Sequence, residues 1–588
     1  MPLAKIIGRE FLGVSTEDNP FGLVNKFLSY AKNLQFDHGL LKTRPGFQRK
    51  SLDISGPFQG ATIYIPGRGV SAKQEANDDV FLAVHAGGKT TLISFDGCSF
   101  SGKQKICDSD MGKGPVHLLS AENWLVQTAN GENTKWWTGG QTCFTTSPGL
   151  ADCNVSPPLP EDTLCKDSWV HWLINSSGVS AYIHGRIHQS FGRRLYVSDV
   201  IYKRGINVNQ DILRMWEQSQ ACYGDVQCVS TRAGDITALE VLPATASPNG
   251  EGELVAYTER GVFTFNTFEY PRKTEISPVG EVLSKGWAYK RLKNQRMTTI
   301  TACGRYAVAV SPRDHFFRSK YGLFSLKMSL ESGTLKDEPI DNLSWQVKSL
   351  LQQSDELLKG VSTGYWIEGQ RIFTSTEMTF EASTAVESFG RSFAVYNKKV
   401  TQTIEGTPIQ GWEGVWSAPN LNIHRFMPND GQEFCFIASN NDIDNNFELV
   451  NILPDAVNDT LQDGTPEEIA WELETGKYNF GSTTNLTTIQ DGYFEAIVKS
   501  RTFQFKIFVK TDKTLCYKEW KTIQGPCDKE GETFFIGYPL GRPDSLTREA
   551  AWYQFRIEGL GAVEIHGFNV DVALGDSKIN KTVCTPIN

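Results

Sequence analysis

The sequence predicts a mainly β fold: a degenerate β-propeller in the middle, a β-sandwich after it and an extended arm before it. Glycine is abundant, with 53 residues, and aromatic residues make up 11% of the chain, as is typical of turn-rich β structure. Short apolar strands separated by turns recur, whereas helical periodicity is scarce. Because 588 residues are too many for one compact core, we expect an arm over 1–50, a propeller-like body over 51–465 and a sandwich over 466–588.

Recurring hairpins predict the propeller. Each joins two apolar strands through a turn that contains Gly or Asn. They lie at 80–97, 123–140, 182–202, 252–267 and 304–326. Their spacing is roughly 45 to 60 residues, close to the 40–50 residues that a four-stranded blade needs. No Trp-Asp or kelch signature recurs, so the blade number stays open and stacked β-sandwiches are the alternative.

Three segments have helical periodicity. The clearest is 343–360, with apolar residues on one face and Gly360 as a C-cap. We interpret it as a helical insertion in the β body. Residues 206–221 and 22–34 are two shorter candidates.

The sandwich is predicted after a polar segment at 454–468, which is rich in Asp, Asn, Pro and Gly and is typical of a linker or long surface loop. The segments that follow alternate between polar and apolar residues or are rich in aromatics, as strands of a two-sheet sandwich are. They are 471–482, 493–511, 532–541 and 551–575.

Charge and composition restrict the function. The net charge of −9 and pI near 5.6 disfavour tight binding to nucleic acid. Residues 1–50 carry eight Lys and Arg against four Asp and Glu, whereas 430–474 is rich in carboxylates, so we expect the basic arm to meet an acidic surface elsewhere. The 12 cysteines form no C-x-x-C pair, so we expect mostly buried free thiols of a cytoplasmic protein. Neither a signal peptide nor an apolar run of about 18 residues is present, so neither export by that route nor membrane insertion is expected.

Motifs with chemical potential have ordinary structural explanations. The segment 360–364 reads G-x-S-x-G, but a nucleophile elbow needs a strand before its serine and a helix after it, and Ser362 has the reverse order. His184 and His188 share one face of a strand without an evident third metal ligand. The segment 438–448 lacks the glycine and closing glutamate of a calcium loop. We therefore expect no catalytic residues, no metal and no cofactor.

Aromatic pairs suggest a further possibility, because exposed rings can stack on sugars, whereas buried rings anchor cores or subunit interfaces. The pairs and single residues concerned are Trp136, Trp137, Tyr365, Trp366, Trp412 and Trp416. A carbohydrate-binding adhesin or baseplate protein is the alternative function that they favour. A propeller glycosidase is a third, since two suitably spaced carboxylates are enough for that reaction.

Two stretches carry a family resemblance. Residues 9–47 contain the tripeptide Asp18, Asn19, Pro20 and close with a G-x-L-x-x-R-P-G-like element that ends in Arg44, Pro45, Gly46. The second stretch has W-x₈-F-G-S from Trp471 through Phe480, then PLGR at 539–542, and WYQFRIEG, which contains Trp552 and Phe555. Both resemble bacteriophage tail structural proteins, and we expect the first six residues named to mediate assembly and the four aromatics to form the core of the last domain.

The resemblance implies a structural role, most like that of the tail nozzle or hub of short-tailed phages. Such a protein forms a ring, expected here as a homo-hexamer, that continues the DNA ejection channel. Its implied partners are portal and adaptor proteins above it and tail fibre, spike or needle proteins around it, with DNA passing but not specifically bound. The implied location is the virion tail, assembled in the host cytoplasm. The arm is expected to pack on a neighbouring subunit or on the ring above. Under this hypothesis, deleting residues 1–50 should leave the β body folded but impair assembly.

Overall fold

A computed structural model gives the fold of the chain. The structure describes residues 4–7, 13–16, 27–37, 39–64, 80–96, 99–108, 111–121, 124–129, 135–137, 145–146, 179–183, 186–197, 227–228, 232–242, 253–265, 272–276, 282–287, 294–312, 314–326, 340–351, 358, 360–376, 379–382, 385–388, 392–400, 403–404, 407–408, 411–417, 421–427, 434–440, 446–480, 485–500, 502–526 and 534–577. Within these ranges the secondary structure is almost entirely β, which confirms the predicted mainly β class.

The first strands of the chain come before the propeller body. They are β1 (Ala4–Ile7), β2 (Gly13–Val14), β3 (Phe27–Lys32), β4 (Leu34–Asp37), β5 (Leu40–Thr43) and β6 (Gly46–Ser51).

Five four-stranded antiparallel sheets follow in chain order. Blade 1 has β7 (Phe58–Tyr64), β8 (Val80–Ala86), β9 (Lys89–Asp96) and β10 (Ser99–Asp108). Blade 2 has β11 (Val116–Ala121), β12 (Trp124–Ala129), β13 (Lys135–Trp137) and β14 (Thr145–Thr146). Blade 3 has β15 (Ser180–Ile183), β16 (Arg186–Phe191), β17 (Arg194–Val197) and β18 (Gln227–Cys228). Blade 4 has β19 (Ile236–Leu242), β20 (Glu253–Thr258), β21 (Gly261–Phe265), an inserted hairpin of β22 (Arg272–Ile276) and β23 (Val282–Trp287), and β24 (Asn294–Thr298). Blade 5 has β25 (Val308–Ser311), β26 (Asp314–Ser319), β27 (Gly322–Leu326) and β28 (Ile340–Asn342).

Two further blades depend on other parts of the chain. Blade 6 has β29 (Thr363–Trp366), β30 (Arg371–Thr376), β33 (Ser392–Asn397) and β36 (Trp412–Trp416), with inserted hairpins β31 (Thr379–Ala382) with β32 (Ala385–Ser388) and β34 (Thr403–Ile404) with β35 (Thr407–Pro408). Blade 7 has β37 (Leu421–Phe426), β38 (Cys435–Asn440) and β39 (Phe447–Leu453), extended by β6, and next to it lie β40 (Asp459–Thr460) and β41 (Pro466–Glu467).

The seven described blades form a closed ring. The first strand of each blade contacts the first strand of the next blade from blade 1 through blade 7, which places these strands innermost, as in a β-propeller. Neighbouring blades bury apolar side chains against each other, for example Tyr64 with Leu118, Leu254 with Ala181, Val255 with Phe317, and Phe373 with Phe436. Ile437 of blade 7 belongs to one cluster with Leu82 of blade 1, so the last blade packs on the first. The propeller-like body that the hairpins predicted is therefore confirmed.

The seventh blade is completed by the N-terminal segment. β6 pairs antiparallel with β39 from Gly46 opposite Leu453 to Ser51 opposite Glu448. Sheet order is β37-β38-β39-β6, so the outermost strand of the last blade precedes the first blade in sequence. Backbone hydrogen bonds therefore hold the ring closed between the two ends of the propeller sequence.

A two-sheet sandwich follows the propeller. Its own strands are β42 (Ala470–Thr475), β43 (Asn485–Val498), β44 (Thr502–Thr511), β45 (Lys518–Pro526), β46 (Phe534–Pro539), β47 (Glu549–Ala550), β48 (Tyr553–Leu560) and β49 (Val563–Ser577). One sheet runs β4-β5-β49-β43-β46, and β1 and β47 also pair into it. The other sheet continues from β36 of blade 6 through β3 to β42-β48-β44-β45. Leu473 and Ile557 of this sheet share one core with Phe494 and Ile565 of the first.

The N-terminal segment is therefore not an arm over the residues that the structure describes after 26. β3 lies between blade 6 and β42, the β4–β5 hairpin pairs with β49, and β6 completes blade 7. Its apolar side chains are buried in the same chain, including Leu34 and Leu41, each 0% exposed. The prediction of an arm over 1–50 that packs on a neighbouring subunit is wrong for these strands, because their partners lie in distant parts of this chain.

The helix predictions give mixed results. The segment 22–34 is not helical where it is described, because β3 begins at Phe27. In 343–360 the structure has a 3₁₀ turn at Trp345–Val347 followed by a turn through 351, and Val347 and Leu350 of the predicted apolar face are buried. Residues 352–357 and the whole of 206–221 lie outside the described residues. In the part of the chain that is described, no helix is long and apolar enough to cross a membrane.

Candidate functional site

Arg44 is the centre of a buried polar cluster where the propeller, the N-terminal strands and the sandwich meet. Its side chain is 1% exposed, and its Nη1 and Nη2 atoms each donate to a carboxylate oxygen of Asp459 at 2.7 Å. Nε donates to Asn33 Oδ1 at 3.0 Å, and Nη2 also donates to the Ser417 carbonyl at 2.9 Å. The guanidinium carbon Cζ lies 3.6 Å from the centroid of the Phe47 ring. Such planar, fully bonded pairing suits arginine and not lysine.

The local structure explains why Pro and Gly follow Arg44. Pro45 has a fixed φ and no N–H, and its carbonyl accepts from Arg44 Nη1 at 2.8 Å. At Gly46 there is no space for a side chain, since an added Cβ would lie 2.0 Å from the Asn458 carbonyl oxygen. The Arg-Pro-Gly sequence thus brings β6 against the chain at Asn458 and Asp459.

Asn33 connects three regions through one side chain. Its Oδ1 accepts from Arg44 and from the Ser417 N–H at 2.8 Å, while Nδ2 donates to the Ala470 carbonyl at 2.8 Å. Its φ of 55° lies in the left-handed region, which asparagine tolerates better than most residues. The backbone turns here from β3 into the β4–β5 hairpin, so Asn33 fixes the direction of the N-terminal segment.

Two more buried ion pairs reinforce this junction. Arg49 of β6 donates to Glu448 of β39 through Nε at 2.7 Å and Nη2 at 3.0 Å. In blade 6, Arg371 makes the same two-point contact with Glu413, at 2.8 and 3.0 Å. Glu413 also accepts from the Phe36 N–H at 3.0 Å, which ties β4 to the blade. Buried ion pairs with all their hydrogen bonds satisfied add little net stability but make the loss of one partner costly.

The structure brings the two segments that resemble tail proteins together. Ala31 of the first segment lies opposite Leu473 of the second in the β3–β42 pair, and Ser29 Oγ donates to the Thr475 carbonyl at 2.9 Å. Trp471 is 2% exposed, and its Nε1 donates to the Gly561 carbonyl at 3.1 Å. Gly559 permits this packing, because a Cβ there would lie 2.1 Å from the Trp471 ring. The N-terminal element and the C-terminal motifs therefore form one β structure.

The four predicted core aromatics of the last domain differ in burial. Trp471 and Phe555 are buried in the sandwich core, and Phe480 packs against it from a partly buried position. Trp552 is not in this core: it is half-buried, and Lys477 Nζ lies 4.4 Å from its ring centroid. Its neighbour Tyr553, the first residue of β48, is the one buried in the sandwich core, with 0% exposure.

Glu472 and Glu474 lie on the face of β42 opposite the core. Burial raises the pKa of Glu472 to about 7, against the opposing effect of Arg556, whose Nε lies 2.9 Å from Glu472 Oε1. Burial also raises the pKa of Glu474, although Tyr517 hydrogen-bonds to it. These carboxylates therefore titrate closer to neutral pH than ordinary glutamates do.

Asp18, Asn19 and Pro20, the first half of the predicted assembly motif, lie outside the described residues, as does His184. His188 is buried. Ser362 is also buried, and its Oγ accepts from the Phe426 N–H at 2.9 Å while its own N–H donates to Ser375 Oγ. A strand follows it directly. Ser362 is thus a structural residue between blades 6 and 7 in this fold.

The described residues of 438–448, the calcium-loop candidate, lie mainly at the end of β38 and the start of β39. Ser439 belongs to β38 and Phe447 to β39, with 441–445 outside the described ranges. Glu448, the last residue of the segment, is bonded to Arg49. Among the residues that can be described, no group of three or more His, Cys, Asp or Glu could hold a metal ion. Three described cysteines, Cys303, Cys435 and Cys516, are free thiols.

The aromatic residues of blade 6 are anchors of the interior. Trp366 is 4% exposed, and Trp412 and Trp416 are 0% exposed. Trp412 Nε1 donates to the Leu343 carbonyl at 2.6 Å, and Trp416 Nε1 donates to the Leu34 carbonyl at 2.9 Å. Tyr365 is half-buried, and the side chains of Trp136 and Trp137 are outside the described set.

Sequence reasoning found Arg44 and Gly46 but missed most partners of the cluster. Asn33, Glu413, Glu448 and Asp459 were not singled out, and Asp459 lies in the segment predicted to be a linker. Asp459 is 3% exposed, and an aspartate is rarely buried to this extent unless a cation pairs with it. The signal that was available is the excess of Lys and Arg over Asp and Glu in the first 50 residues, which calls for carboxylate partners if the segment is buried.

Fold and site together define a closed β-propeller joined by hydrogen-bonded sheets to a β-sandwich. No protein-family model matches the chain, and no curated protein matches it. Among solved structures, YCF48 from Cyanidioschyzon merolae shares 11% identity at a TM-score of 0.32, over 70% of this chain and 99% of that one. The Dos1 propeller shares 11% at 0.33, over 70% and 95%. A family 43 glycoside hydrolase of Bacillus subtilis, an arabinoxylan arabinofuranohydrolase in complex with cellotetraose, shares 9% at 0.20, over 68% and 95%. Likeness at these scores carries no inference about function.

Proposed function

We propose that this chain is a structural subunit of a bacteriophage tail, of the nozzle or hub type, which forms a ring that continues the DNA channel. One observation carries the proposal. The two segments that resemble tail proteins come from opposite ends of the chain, yet they pair directly as β3 with β42, where Ala31 lies opposite Leu473 and Lys32 opposite Glu472. The two segments that suggest a tail function therefore lie in one place, and their contacts there hold the fold together.

The way the body is held together supports a load-carrying role. The propeller is closed by β6 and connected to the sandwich by β3, which pairs with both β36 and β42. Three buried ion pairs fasten the same junction, centred on Arg44, Arg49 and Arg371. A body with sheet continuity between its parts resists relative motion of the parts, as a channel wall under internal pressure must.

The sandwich offers surface for assembly. Leu515 is 98% exposed, Phe535 is 63% exposed and Leu546 is 62% exposed. Single exposed apolar residues are ordinary on a protein surface, but three large ones lie in this domain, and aromatic residues such as Phe are enriched at subunit interfaces. We infer that this domain contacts neighbouring subunits or the portal, adaptor and fibre proteins of the tail.

Mass measurement tests the proposal. The full chain, alone and mixed with a portal and an adaptor protein of a short-tailed phage, is examined by native mass spectrometry, and we expect a closed ring, most simply a hexamer. A double variant, Leu515→Ser with Phe535→Ser, should lose the ring while its circular dichroism stays unchanged. Val457→Ser, at a residue that is 39% exposed outside the sandwich strands, is the matched control. Monomers under every condition would refute the proposal.

The carbohydrate-binding alternative gains no support from the described aromatics, because Trp366, Trp412 and Trp416 are interior residues. No second function is therefore put forward.

A further inference from the structure

The turn before β25 reaches across the centre of the propeller. Tyr306 Oη donates to the Val116 carbonyl of blade 2 at 3.4 Å, and the Tyr306 carbonyl accepts from the Thr363 N–H of blade 6 at 2.8 Å. A Cβ added at Gly60 of blade 1 would lie 3.1 Å from Tyr306 Oη. Although Tyr306 belongs to the start of blade 5, it therefore meets the innermost strands of three other blades.

Two arginines meet at this ring centre. Arg425, on the innermost strand of blade 7, places its Cζ 4.2 Å from the centroid of the Tyr306 ring. Arg305 precedes Tyr306 in the chain, and burial lowers its pKa against the opposing effect of Tyr306, with a smaller lowering by repulsion from Arg425. Both residues are partly exposed, while the Nη1 atom of each is buried. Two guanidinium groups that repel each other in a partly desolvated place create a local field that favours an anion.

Two described groups near Arg425 supply at most part of a counter-charge. His117, on the innermost strand of blade 2, donates through Nε2 to the Ser180 carbonyl at 2.9 Å. Burial, with Arg305 and Arg425, lowers the pKa of His117 well below its usual value, so the imidazole is neutral. Glu240 of blade 4 interacts with Arg425, but burial raises its pKa to about 7. Near neutral pH this carboxyl thus supplies only part of a negative charge.

Arg425 also has hydrogen-bonding capacity left over. Its Nη1 is buried, and no described residue accepts a hydrogen bond from it. A buried guanidinium donor is expected to have an acceptor. The planar fork of arginine matches the oxygens of phosphate and carboxylate groups.

We propose that the centre of the propeller binds a small free oxyanion of the phosphate class, held by Arg425 and Arg305 beside the Tyr306 ring. The size limit follows from Tyr306, which spans between blades 1, 2 and 6 and leaves no straight passage for a polymer at this level. This site is separate from the ring closure around Arg44 and does not depend on the proposed tail function.

Calorimetric titration of the full chain with inorganic phosphate, at constant ionic strength set with chloride, tests the proposal. We expect saturable 1:1 binding with a Kd of about 1 mM or below. Arg425→Gln should weaken binding about tenfold or more, as expected when a charged hydrogen bond is lost. Lys518→Gln removes an exposed positive charge from the sandwich and should bind phosphate as the wild type does. The absence of saturable binding, or equal binding by Arg425→Gln and the wild type, overturns the proposal.

A second variant keeps the test decisive if Arg425→Gln does not fold. Glu240→Gln removes the carboxyl that competes for Arg425, so phosphate should bind more tightly, and unchanged or weaker binding contradicts the site. A short oligonucleotide capped at both ends should not displace phosphate. Displacement would overturn the assignment to a small free anion.

Discussion

Arg44 and Asp459 lie 415 residues apart in the sequence and form a buried two-point ion pair with both N–O distances at 2.7 Å. Asp459 Oδ1 also accepts from the Phe47 N–H at 2.8 Å. One carboxylate therefore fixes both the arginine and the start of β6, the strand that completes blade 7. The pair ties the ring closure to the chain segment that leads into the sandwich.

Removing the carboxylate should be costly. In Asp459→Ala the guanidinium of Arg44 stays buried without its counter-charge, and we expect a loss of about 3–5 kcal/mol in unfolding free energy. Asp37→Ala breaks the Lys42–Asp37 pair, where Asp37 is 40% exposed, and should cost about 1 kcal/mol or less. Urea unfolding followed by tryptophan fluorescence measures both. Similar losses for the two variants would contradict the structural role of Asp459.

Deleting the N-terminal strands should destroy the fold. Removal of residues 1–51 takes away the outer strand of blade 7 and the strands that join blade 6 to the sandwich. We expect loss of cooperative thermal unfolding and of near-ultraviolet circular dichroism. Removal of residues 1–12 deletes β1 alone among the described strands and should preserve a cooperative transition. A fully cooperative transition in the larger deletion would restore the idea of a separate arm.

Gly46 should not tolerate a methyl group. Gly46→Ala forces a Cβ to within 2.0 Å of the Asn458 carbonyl oxygen, and the resulting shift at the ring closure should cost about 1–3 kcal/mol. Gly114→Ala is the matched control, because nothing lies within 4 Å of its added Cβ. Differential scanning calorimetry should show a lower melting temperature for the first variant alone. Equal melting temperatures would mean that the Asn458 segment moves freely.

The stability of the sandwich should depend on the titration of Glu472. Its pKa of about 7 in the folded chain exceeds the unfolded value of about 4.3. A raised pKa means that the group stabilises the fold fully below pH of about 4.3, and that this contribution is lost as the pH rises through 7.

Relative to Glu472→Gln, the wild type should therefore lose about 1–3 kcal/mol of unfolding free energy between pH 5 and pH 8. Urea unfolding at four pH values in that interval measures the difference. Glu558→Gln, which removes the other carboxylate bonded to Arg556, controls for the change in local charge. A constant difference between wild type and Glu472→Gln across the interval would exclude this titration.

Local patterns were enough to predict the propeller and the strands of the sandwich. Alternating apolar residues and turn glycines depend on neighbours in sequence, and segments such as 80–97 and 551–575 form the strands that their patterns indicate. Ser362 and the tryptophans of blade 6 also have the structural environments that the cautious interpretations favoured. The spacing of apolar residues shows which face of a strand is buried, and this pattern can be read from neighbouring residues alone.

Long-range pairing was not predictable in the same way. Phe27–Lys32 has no clean alternation, because its buried residues, Phe27, Leu28, Tyr30 and Ala31, lie on both faces of the strand. Its spacing therefore resembled a helix. The basic character of the N-terminal segment was read as a mark of a surface, yet Arg44 and Arg49 are buried against carboxylates that follow hundreds of residues later. A single sequence does not say which distant carboxylate an arginine will meet.

The position of β6 also sets the order of events during synthesis. Arg49 leaves the ribosome 399 residues ahead of its partner Glu448, which at ordinary translation speeds amounts to roughly 20 to 80 seconds. Over that time the nascent chain carries a strand whose hydrogen-bonding edge has no native mate, a condition that invites mispairing and aggregation. Recombinant yield should therefore respond to chaperone supply and growth temperature more than the stability of the finished protein would suggest.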